Sequence, residues 1–125
     1  MTIWILLGGM LVGAAGCGRS VPQPSDPVIG RDTLSQVLDA WKRGDSLDAY
    51  KVASPAVTVV NRPWKQGVKL IEYEIEGAGE PNGFDVQYTV RLSVLDSAGK
   101  KSKEKALYVV STSPRLVVIH TEAGS

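Results

Sequence analysis

Residues 84–94 read FDVQYTVRLSV, and this stretch decides the fold. Phe84, Val86, Tyr88, Val90, Leu92 and Val94 fall at every second position, with Asp85, Gln87, Thr89, Arg91 and Ser93 between them. A period of two puts one set on the dry face of a β-strand and the other on its wet face. Turn chemistry brackets the run, EPNG at 80–83 before it and DSAG at 96–99 after it. The segment VKLIEYEIEG (68–77) repeats the alternation, Ile71, Tyr73 and Ile75 against Glu72, Glu74 and Glu76. Two further runs follow, KEKALYVVS (103–111) and RLVVIHT (115–121), separated by TSP. Short connections join antiparallel neighbours, so residues 68–121 are expected to form a four-stranded meander.

Before the sheet the period is helical. In RDTLSQVLDAWKRGDS (31–46), Leu34, Val37, Leu38 and Trp41 share one stripe. Thr33 with Gln36 has capping-box spacing, Lys42 and Arg43 suit the last turn, and Gly44 suits the left-handed stop. A second short helix is expected in SLDAYKVA (46–53), capped by Ser46 or Asp45 and ended by Ser54-Pro55, with Leu47, Tyr50 and Val52 inward. Val57–Val60 is a short β-branched run, and NRPWKQG (61–67) then breaks the chain. The expected class is α+β: one or two N-terminal helices packed on a curved four-stranded antiparallel meander sheet. This layout resembles the cystatin-like group and, more loosely, the cone-shaped nuclear-transport-factor-like group. The pattern W-K-x-G-x-x-L at Trp64–Leu70, with Y-V-V-S-T-S-P at Tyr108–Pro114, also resembles small uncharacterised bacterial lipoproteins, a likeness that brings no activity with it.

The chain opens MTIWILLGGMLVGAAGC. No charged side chain occurs from Met1 to Gly16, and the apolar run Ile3–Val12 spans about ten residues, where a spanning helix needs about 20. Small residues follow at Gly13, Ala14, Ala15 and Gly16, as a signal peptidase requires, and the sole cysteine stands directly behind them. The segment AAGC resembles the lipobox of bacterial lipoproteins. The resemblance implies a signal peptide over 1–16, cleavage beside Ala14, Ala15 and Gly16, and diacylglycerol on the Cys17 thiol. Ala14 stands where that family more often has Leu, and the leader lacks an early Lys or Arg. The alternative is an uncleaved single-pass anchor, with Arg19 and Arg31 holding the domain in the cytoplasm. Gly18, which is not aspartate, by the same resemblance favours the outer over the inner cell membrane. Residues 17–31, with Pro22, Pro24 and Pro27, read as a lipidated cysteine and Pro-rich tether spanning roughly 30–40 Å, and 32–125 as a single domain.

Composition excludes some classes. Among 125 residues, 13 acidic and 14 basic side chains are interspersed, so no strong field attracts nucleic acid. One cysteine and one histidine give neither an internal disulfide nor a zinc cluster, and no nucleotide or hydrolase fingerprint occurs, so no cofactor is expected. His120, with Thr121 and Glu122 nearby, is the candidate base, weighed against an inert strand position. Glu72, Glu74 and Glu76 could offer oxygens to a hard cation or form a solvated strand face. Tyr50, Tyr73, Tyr88 and Tyr108 could line a cone-shaped pocket or fill the core. Trp64, between Pro63 and Lys65, is the candidate partner contact, or else a plug at one end of the core. Three functions follow: a lipid-tethered, non-enzymatic domain binding an envelope protein or polymer, a pocket protein or enzyme of the cone-shaped class, and an assembly subunit pairing through its last strand.

Overall fold

The computed structural model describes residues 23–122. The leader, Cys17 and Gly18 lie outside the described residues. Helix α1 (Pro27–Arg43) and α2 (Leu47–Ala53) lead into β1 (Val57–Val60), the single-turn α3 (Arg62–Lys65), and then β2 (Lys69–Asn82), β3 (Asp85–Leu95), β4 (Lys101–Ser111) and β5 (Leu116–Glu122).

The expected stripe on α1 is buried: Leu34, Val37, Leu38 and Trp41 all lie in the core. Lys42 and Arg43 occupy the last turn, and Gly44, at φ 94°, closes the helix. The start differs from expectation. Asp26, not Thr33, is the cap, its carboxylate accepting from the amides of Val28 and Ile29, and Pro27 supplies a preset φ in the first turn. Thr33 is buried inside the helix. Helix α1 thus begins at Pro27, before Asp32, and part of the expected tether is helix. On α2 the cap is Ser46, Leu47 and Tyr50 are buried, and Val52 faces solvent instead of the core.

The α+β class is as expected, but the sheet is not a four-stranded antiparallel meander. Five strands run in the order β1-β5-β4-β3-β2, and β1 pairs parallel to β5 with Val59 beside Val118. The chain crosses from β1 through α3 to the far edge, then meanders back until β5 meets β1. The last strand therefore has both ladders filled, and β1 is the edge that β5 was expected to be.

Strand β3 holds its period, with Val86, Tyr88, Val90, Leu92 and Val94 all buried. Phe84 departs from it. It sits in the β2–β3 turn, 59 % exposed, because β3 starts only at Asp85. In β2 the register slips between Leu70 and Glu72, so Leu70 points into the core, Ile71 is exposed, and Tyr73 and Ile75 pack inward again. An extra residue in one strand flips the faces that follow. Helix α1 covers this inner face. Among the described residues the outer face carries no helix.

Candidate functional site

Three aromatic rings close one end of the core. Asn61 caps α3 by accepting from the Trp64 amide at 3.1 Å, which turns the Trp64 side chain inward. Trp64 is 5 % exposed and stacks on Trp41 at 6.0 Å, with Tyr50 tilted against it at 5.8 Å. Its indole N–H donates to the Asp45 carbonyl, and that of Trp41 to the Val68 carbonyl, each at 2.8 Å. Trp64 therefore plugs the core and does not present its ring to a partner.

The tyrosines are committed to packing. Tyr88 donates to the Pro27 carbonyl and Tyr73 to the Asp39 carboxylate, both at 2.6 Å. Tyr108 accepts from the Asn61 side-chain amide at 3.4 Å, and burial pushes its phenol far above the ordinary range. Tyr88 and Tyr108 fill the space between α1 and the sheet where a cone would be hollow.

The glutamates do not converge. Glu72 is ion-paired with Lys42 at 2.8 Å, which lowers the carboxyl and raises the amine. Glu76 pairs with Arg91, and Glu74 stands opposite Arg91 in the ladder. Among the described residues no three metal-ligating side chains gather.

His120 lies on the inner face beyond the cover of α1, opposite Tyr108 and edge-on to its ring at 5.2 Å. A recess of about 450 Å³ opens there, with His120, Glu104, Glu122 and Gln66 on its walls. The buried Nε2 of His120 has no hydrogen-bond partner among the described residues. Burial lowers the imidazole from its ordinary value, and the charges of Glu104 and Glu122 oppose that shift. No protein family, curated protein or solved structure matches the chain. The site is thus read from its own chemistry.

Sequence reasoning missed the outer face, because β1 joins it only through a parallel pairing. Val60, Ile119 and Val109 stand in one row across β1, β5 and β4. Val117 and Leu107 flank that row. The β2–β3–β4 half is charged instead, with Glu74, Arg91 and Lys105 in one row and Ser93 beside Lys103 in the next. The open sheet is thus divided into an aliphatic half and an ionic half. Among the described residues no helix is long and apolar enough to cross a membrane.

Proposed function

We propose that the chain is a membrane-anchored lipoprotein of the bacterial cell envelope, a non-enzymatic binding or assembly module held outside the cytoplasm. The observation that carries the binding half is the aliphatic half of the open sheet. A contiguous apolar surface beside a charged one is the form in which protein surfaces recognise partners. The partner it fits is another envelope protein, its apolar residues meeting Val109 and Ile119 and its charges meeting Arg91 and Lys105. The anchor is supported by the sequence LVGAAGC, with Cys17 as acyl acceptor and Ala14, Ala15 and Gly16 at the cut. Two or three acyl chains suffice for stable attachment, because each buried methylene contributes about 0.8 kcal/mol. A helix laid on an antiparallel β2–β5 sheet supports the cystatin-like layout, and the filled core speaks against the hollow cone.

Metabolic labelling with an alkynyl fatty acid tests the anchor. The protein should be tagged, and Cys17→Ala should abolish the tag and leave an uncleaved precursor. A mutant still cut and still tagged sinks the lipoprotein reading, and an uncleaved wild type supports the single-pass anchor. For the binding half, Ile119→Lys should leave the melting temperature nearly unchanged and remove a crosslinked complex seen in intact cells.

One observation favours a second reading, a ligand-binding pocket protein or enzyme: the unpartnered Nε2 of His120 in its recess. If His120→Ala erased the cellular phenotype without altering the melt, and Ile119→Lys did not, this reading would replace the first.

A further inference from the structure

At one end of the sheet three segments meet. The β2–β3 hairpin turns at Gly83 and Phe84, the β4–β5 loop runs from Thr112 to Arg115, and α1 starts at Pro27. Hydrogen bonds tie them together. The Ser25 amide donates to the Phe84 carbonyl at 2.7 Å, the Asp26 amide to Thr112 Oγ1 at 2.8 Å, and the Thr112 amide to Ser25 Oγ at 2.9 Å. This is the pole at which the N-terminal segment joins the fold.

The pole is unusually apolar. Among the described residues, six large hydrophobic side chains are exposed, and Phe84, Val28 and Ile29 are three of them, at 59, 77 and 50 %. Pro24, Pro27, Pro81 and Pro114 are exposed around them. Asp26 is engaged as the helix cap, and Arg115 stands at the rim together with the carboxylates of Glu80 and Asp85. The opposite pole carries Lys69, Lys100 and Lys101 in solvent.

We propose that the apolar pole lies against the lipid bilayer, with Phe84, Val28 and Ile29 entering the boundary between headgroups and acyl chains. The inference rests on the membrane-anchored reading above and adds to it an orientation. Chain length argues for this occupant. Seven residues, Gly18 to Pro24, separate Cys17 from Ser25, and fully extended they reach only roughly 25 Å. An acylated Cys17 therefore keeps this pole, where the chain enters the fold, within roughly 25 Å of lipid. Exposed apolar side chains are what the interface accepts, and a second weak contact turns a swivelling tether into a fixed pose. Because the strands run from pole to pole, the sheet then stands upright and its open face turns sideways, accessible to a neighbour in the same membrane.

The test uses the full protein purified from membranes, with single cysteines at Phe84→Cys, Ile29→Cys and, at the opposite pole, Ser97→Cys. Each carries an NBD fluorophore, which an acylated Cys17 does not take up. In vesicles of phosphatidylethanolamine and phosphatidylglycerol containing doxyl-labelled lipid, probes at 84 and 29 should be blue-shifted and quenched several-fold more than the probe at 97. Protein that floats with the vesicles but shows equal quenching at all three sites, or none, overturns the docked pose and leaves the anchor standing. Protein that lacks acyl mass on Cys17 and does not float overturns the anchor and the pose together.

Discussion

At the residue scale, the burial of Trp64 converts a candidate contact into a stability determinant. Truncating a buried tryptophan removes its own contacts and leaves a cavity, here between Trp41 and Tyr50. Trp64→Ala should therefore cost about 3–5 kcal/mol, read as a lower urea midpoint with little change in slope. Gly79 is constrained by a different effect. Its φ is 94°, and a β-carbon there would stand 2.7 Å from the Tyr88 ring. His120 provides a pH test. Its folded-state pKa is lowered from 6.5, mainly by burial, so the unfolded chain takes up the proton first as pH falls. The native state thus loses stability as pH drops through 6.5 towards the depressed folded value. His120→Asn should melt at a temperature that varies less between pH 7.5 and 5.5 than the wild type does, and an unchanged pH profile would mean that the ring is solvated.

At the element scale, legibility followed how local each determinant is. The stripe Leu34, Val37, Leu38 and Trp41 and the alternation from Val86 to Val94 are properties of one element and one period, and both were readable. Slips in β2 are not local in this sense. Whether Leu70 or Ile71 faces the core depends on which residues of β3 lie opposite, and Ile71 was misplaced for that reason. The parallel pairing of β1 with β5 joins residues some sixty positions apart, and nothing in VTVV announces it. At the start of α1, prolines at 22, 24 and 27 share the composition of a tether, although Pro27 follows an aspartate and is preset for a first helical turn. Two consequences can be measured. Asp26→Ala should cost about 1 kcal/mol by exposing the amides of Val28 and Ile29. A chain beginning at Ile29 should melt below one beginning at Gln23, because it also loses the Ser25 and Asp26 bonds to Phe84 and Thr112.

At the scale of the whole molecule, the question is whether β1 is an attachment or part of the cooperative unit. Its outward residues Thr58 and Val60 are exposed, which suits a short edge strand that could fray. Its inward residues argue otherwise. Val59 is buried beside Val118, and both belong to the same apolar cluster as Tyr108, Trp64 and Leu38. The Asn61 side chain, directly after β1, bonds both the Trp64 amide and the Tyr108 phenol, so losing the strand would release the plug at the end of the core. An unpaired carboxylate at position 59 would cost several kcal/mol, a large part of the roughly 5–15 kcal/mol that holds a domain of this size. Val59→Asp should therefore unfold the domain as a unit, with tryptophan fluorescence and far-UV circular dichroism lost together along one urea curve. Native fluorescence from Trp41 and Trp64, with hydrogen-exchange protection lost only in β1 and on the side of β5 that faces it, would instead make β1 a detachable edge. It would also remove Val60 from the aliphatic half of the open sheet.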